Sequence, residues 1–99
     1  MDATDFAAAQ ALDATRESQE LSEREKHLIG MAVTATRGCQ VCTGSRIERA
    51  LEVGIPYKSI LAAVDLAAAV NAGVVLRTAI SGAEQYNIDE RCAETVCEA

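Results

Sequence analysis

Cys39 and Cys42 stand three residues apart directly after Gly38, where one helical stretch gives way to another. At a helix start the unpaired N–H groups and the macrodipole favour a thiolate over a thiol, which on its own marks Cys39 as the more acidic of the two. Residues at this spacing in a first turn also bring two sulfurs within reach of one disulfide. The pair can then alternate between dithiol and disulfide with little backbone motion. Two other chemistries use the same spacing: a CxxC can supply half of a zinc site, and cysteine also packs as a small apolar residue. The other zinc half would have to be Cys92 and Cys97, with His27 as an added candidate, and their spacing is longer than that usual between paired zinc ligands. Cys92 and Cys97 also read as a second redox pair, as an arm that meets a reductase, or as incidental.

Two more side chains bear on the sulfurs. His27 is the only histidine and precedes the apolar pair Leu28–Ile29. Along a straight helix it lies roughly 18 Å from Cys39, so contact requires the next helix to fold back or a neighbouring subunit to contribute. A packing or surface role is its alternative. Arg46 follows Cys42 by four residues and shares its helix face one turn on. Its charge lowers a thiol pKa, although a guanidinium cannot serve as a base. The alternative for Arg46 is a solvated charge among Glu48, Arg49 and Glu52.

The elements that position these residues read as helices. Of the 99 residues, 49% are apolar and only 3% aromatic, with one Pro and six Gly, and much of the apolar content is Ala. This composition predicts an all-α domain of about five helices, residues 1–99 forming one unit with a core at 21–87 and a polar tail at 88–99. A weak helical pattern covers Thr4 to Ser18. Ser22 and Glu25 fit a capping box ahead of a second helix, whose stripe of Leu28, Ile29, Ala32, Val33 and Thr36 is expected to be buried. A third helix starts around Cys39 and ends before Gly54, with Ile47, Ala50 and Leu51 inward. The fourth runs from Tyr57 to Val70 with Ile60, Leu61, Val64, Ala67 and Ala68 on one side. Asn71–Ala72–Gly73 is expected to break it, and a fifth helix follows from Val74 to about Asn87.

Composition also narrows the partners. Nine basic against fifteen acidic residues give a net charge of −6, which excludes the basic footprint of a nucleic-acid binder and disfavours anionic lipid. No run reaches 18 apolar residues, so no membrane span is expected, and the acidic start has no signal-peptide pattern. A cytoplasmic location follows as the expectation, where four cysteines are more plausibly catalytic, metal-binding or inert than a disulfide framework. High apolar content in so short a chain points to assembly with copies of itself.

The stretch from Ser22 through Cys39-Gln-Val-Cys42 to Ala50 and Gly54 resembles the core of the carboxymuconolactone decarboxylase/AhpD-like alkylhydroperoxidase family. That family's hallmark is a helix of the type E-L-I-x-L-A-V, then C-x-x-C-x-x-x-H, then A-x-x-x-G; the likeness covers about Leu21 to Gly82. The resemblance implies an AhpD-like all-α fold, homo-oligomers (trimers or hexamers), and reduction of small hydroperoxides or protein disulfides. By position, Cys42 would attack and pass through a sulfenic acid, and Cys39 would resolve it as a Cys39–Cys42 disulfide. The helix-end argument and the resemblance thus assign the reactive thiol differently. His27 stands where the family has a glutamate of its proton relay, and Arg46 where it has a histidine. At these two positions the chain departs from the family: one reading has His27 shuttle a proton while Arg46 stabilises the thiolate, and the other is a broken relay, which bears on peroxide reduction more than on disulfide exchange. A thioredoxin-like or lipoyl-bearing dithiol would regenerate the reduced form, and no cofactor is implied. Lactone decarboxylation belongs to members without the CxxC.

Overall fold

The computed structural model describes residues 1–93, and all the regular structure among them is helical. A 3-10 turn at Ala3–Asp5 precedes α1 (Ala7–Arg16), α2 (Glu23–Thr36), α3 (Gln40–Glu52), α4 (Tyr57–Gln85) and α5 (Ile88–Ala93). The chain divides into two compact units, one up to Val64 and one from Asp65 onward.

In the first unit, local chemistry fixes where each helix begins and ends. The Ser22 side chain accepts the Glu25 N–H (3.1 Å) and the Glu25 carboxylate accepts the Ser22 N–H (2.8 Å), so the capping box forms as its residues predict. The hydrogen bond from the Ser22 backbone, helped by that from its side chain, holds the Glu25 carboxyl below the ordinary carboxylate range. Lys26 ties α1 to α2, its Nζ donating to the Arg16 carbonyl (2.6 Å) while also pairing with Glu23 (3.1 Å). Arg24 donates to Ser59 (2.7 Å) in the first turn of α4.

The ends of α2 and α3 repeat one device. Gly38 (φ +79°) donates to the Ala35 carbonyl and Cys39 to that of Thr34; Gly54 (φ +91°) donates to Leu51 and Ile55 to Ala50. Each glycine occupies the left-handed position that closes a helix with this double bond, and a Cβ there would be strained. The turn at Gly38 folds α3 back along α2. Thr43 Oγ1 donates to Thr34 Oγ1 (3.1 Å), and one turn further along α3 Arg46 lies against Gly30, one turn earlier in α2. The two helices are therefore antiparallel.

The core is small: Met31, Ala50, Ile55 and Ile60 are buried, with Leu28 and Ile47 packed against them. This corrects the expected stripe on α2. Ile29 and Val33 are 49% and 55% exposed and Thr36 is exposed, because α3 covers the face of α2 that carries Met31 and Thr34 instead. On α3, Ala50 and Ile47 turn inward as expected, whereas Leu51 remains exposed; on α4, Ile60 is buried but Leu61 and Val64 are not.

In the second unit, two expectations fail. Asn71–Ala72–Gly73 does not break the helix, and α4 continues without interruption to Gln85. An interior glycine costs only about 1 kcal/mol relative to Ala, and with no proline present the surrounding Ala, Val and Leu carry the helix through. The helical run ends near Asn87 (φ +53°), as expected, and the polar tail opens with the short helix α5. Most of α4 is exposed, Leu66 and Leu76 at 66% and 64%. By length and composition α4 is also apolar enough to cross a membrane, contrary to the expectation of no span. Lone polar residues such as Asp65 and Asn71 interrupt the run without making the helix polar.

Candidate active site

Cys39 joins two helices. Its backbone N–H completes the closing motif of α2, and its side chain is the N-cap of α3, the sulfur accepting the N–H of Cys42 at 3.2 Å. A sulfur in that position receives a backbone hydrogen bond and the positive end of the helix dipole, both of which favour its anionic form once reduced. Cys39 and Cys42 are disulfide-bonded, with Cα atoms 5.3 Å apart, within the range such bonds require. Cys39 is half-buried and Cys42 exposed.

An open groove of about 490 Å³ runs beside the pair, between the end of α2 and the first half of α3. Ala35, Gly38, Cys39, Gln40, Thr43 and Ile47 line it, so its walls are mainly small and apolar and Cys39 is its only cysteine. Glycine 44 adds a further gap in the wall.

Arg46 and His27 occupy successive positions away from the sulfurs. Arg46 is half-buried one turn beyond Cys42, its guanidinium against Gly30, and among the described residues it has neither an ion pair nor a hydrogen bond. The surface pairing weighed for it falls to Arg49, which takes Glu52 at 3.5 Å. His27, also half-buried, lies one turn before Gly30 on α2. The antiparallel fold-back of α3 over α2 that such contact required does occur, yet its register leaves His27 away from the cysteines. By that register His27 stands opposite the later part of α3, about 10 Å along the axis from the level of Thr34 and Thr43. Among the described residues neither His27 nor Arg46 hydrogen-bonds a sulfur of the pair.

No group of three or more His, Cys, Asp or Glu residues converges as a metal site among the described residues. Cys92 lies on α5, and Cys97 falls outside the described residues. Three features of the site were not expected from the sequence: the Thr34–Thr43 hydrogen bond, the burial of Met31, and the contact of Arg46 with Gly30. Only the last left a trace, since a glycine inside a helical pattern signals a close approach.

Residues 3–85 match the model of the Carboxymuconolactone decarboxylase family. That span takes in α1 to α4 and the whole cysteine site, and the chain belongs to this family, as the motif around Cys39 and Cys42 had indicated. No curated protein and no solved structure matches the chain significantly.

Proposed function

We propose that the chain is a thiol oxidoreductase of the AhpD-like type, reducing small hydroperoxides or protein disulfides through a Cys39–Cys42 dithiol/disulfide cycle. The observation that carries this reading is the disulfide at the first turn of α3, capped at Cys39 and bordered by an open groove. With a hydroperoxide, the Cys42 thiolate attacks the terminal oxygen and the O–O bond breaks. The alkoxide leaves as an alcohol after taking a proton, and Cys42 becomes a sulfenic acid. The Cys39 sulfur then attacks Cys42, expelling the oxygen as water and forming the disulfide. With a disulfide substrate, Cys42 forms the mixed disulfide and Cys39 displaces it, so the substrate leaves reduced. A thioredoxin-like or lipoyl-bearing dithiol restores the pair in a reducing compartment.

Cys42 is assigned the attack because it is the exposed sulfur, while the half-buried Cys39 is held in place by its cap. Arg46 supplies positive charge one turn away. His27, a further turn removed, acts on the proton inventory of the site through water or on a neighbouring subunit. The exposed apolar side chains of α4 support assembly with copies of the same chain.

The test is a stoichiometric one. Reduced protein mixed with an alkyl hydroperoxide is expected to lose two thiols per peroxide consumed and to gain the Cys39–Cys42 disulfide by peptide mass mapping. Cys42→Ser is expected to abolish both peroxide and disulfide reduction. Wild-type protein that reduces neither substrate overturns the proposal, and metal released in step with thiol modification would favour a zinc-binding scaffold.

A further inference from the structure

Gly30 has no backbone reason to be glycine. It lies inside the 14-residue α2, and the positive-φ glycines among the described residues are Gly38 and Gly54 alone. In such a position glycine weakens a helix by about 1 kcal/mol relative to alanine. What it provides is room: a Cβ there would lie 2.8 Å from Cζ of Arg46, and the guanidinium nitrogens crowd the same space. The remaining contacts of Arg46 do not explain its placement, because no carboxylate or carbonyl among the described residues holds it.

We propose that Gly30 is a positioning residue, a seat in α2 on which the Arg46 guanidinium lies so that its charge is fixed one turn from the dithiol instead of moving freely in solvent. This rests on the thiol-oxidoreductase reading and extends it to a residue that touches neither substrate nor sulfur. A half-buried charge held in place acts on its neighbours more strongly than one on a mobile, hydrated side chain. The other ionisable groups near Gly30 and Arg46 on the two packed helices are Lys26, His27 and Arg37 on the α2 side and Glu48, Arg49 and Glu52 on α3, and the proposed variants leave all of them unchanged.

The experiment measures the pH dependence of alkylation in the reduced full-length chain, for the wild type, Gly30→Ala, Arg46→Met and the double variant. Gly30→Ala keeps the charge but removes the seat. It is expected to raise the apparent pKa of the faster-reacting thiol as far as Arg46→Met does, by about half a unit or more, and the double variant is expected to add nothing further. Thermal unfolding provides the control, since alanine is the better helix former and a midpoint at or above the wild-type value shows α2 intact. A wild-type pKa in Gly30→Ala, or in Arg46→Met, overturns the proposal. Should Gly30→Ala not fold, Arg46→Lys carries the test: an ammonium cannot lie flat on the glycine, so its pKa is expected to rise, and an unchanged value overturns the seat. None of these readouts requires turnover. Failure of the seat is therefore distinguished from failure of the oxidoreductase reading, which shows as no peroxide or disulfide reduction by the wild type.

Discussion

Helices α3 and α4 solve opposite problems. The first is short and carries polar or charged residues at Gln40, Thr43, Ser45, Arg46, Glu48, Arg49 and Glu52, yet it is anchored at both ends and buries Ala50 fully. The second has 29 residues, many of them apolar, and buries only Ile60. Apolar content and burial have thus come apart. In α3 the hydrogen-bonded ends and a few inward side chains define the position of the cysteines. In α4 the large apolar side chains, Leu66, Val70, Val74 and Leu76 among them, are exposed. The reactive part of this molecule is thus specified locally, whereas the apolar side chains of α4 stay exposed along most of its length.

The sharpest way to break that contrast is to charge α4. If copies of this chain cover its surface, Leu76→Glu is expected to convert an assembled species into a smaller one in size-exclusion chromatography with light scattering, while the Cys39–Cys42 disulfide still forms. A wild-type chain that stays monomeric at every concentration would refute self-assembly, and stable insertion into lipid vesicles would identify a bilayer as the cover. Next in size is the small core. Met31→Ala is expected to cost about 3 kcal/mol in denaturant unfolding, since Met31 is fully buried and its removal opens a cavity between α2 and α3. The smallest effect belongs to the cap: Ser22→Ala is expected to destabilise the chain by about 1 kcal/mol at neutral pH. The capping interaction also has a pH signature. Because the folded Glu25 carboxyl is held below its ordinary value of 4.5, its contribution is complete above that pH and is lost as pH falls through the lower folded value. The difference between wild type and Glu25→Gln is therefore expected to shrink on acidification.

Much of this was legible in the sequence wherever a residue's own chemistry decides the outcome. Ser22 with Glu25, Gly38, Gly54 and the Cys39–Cys42 spacing each act within a few residues, so the start of α2, the fold-back and the disulfide could be anticipated. Burial could not be read so directly. Ile29 and Val33 have the right spacing for a core stripe, but the choice between that stripe and the Met31 face depends on which way α3 returns, and the local pattern does not encode it. Gly73 misled for a related reason. Glycine is a weak breaker, and a long run of good helix formers on either side outweighs it. For His27, distance along one helix was the wrong measure. Folding α3 back brings the residues of α2 near the turn alongside the start of α3, but His27 lies two turns before Thr34 and so stays opposite the later part of α3, whereas Arg46 is one turn from Cys42 simply because both lie on α3.

Cys39 is a joint as well as a reagent. Its amide fastens one helix and its sulfur begins the next, so a substitution there tests architecture and chemistry at once. Serine would leave the joint closed while removing the reagent, whereas alanine would undo both. Only the contrast between those two replacements assigns a loss of turnover at this position to electron transfer rather than to a loosened hinge.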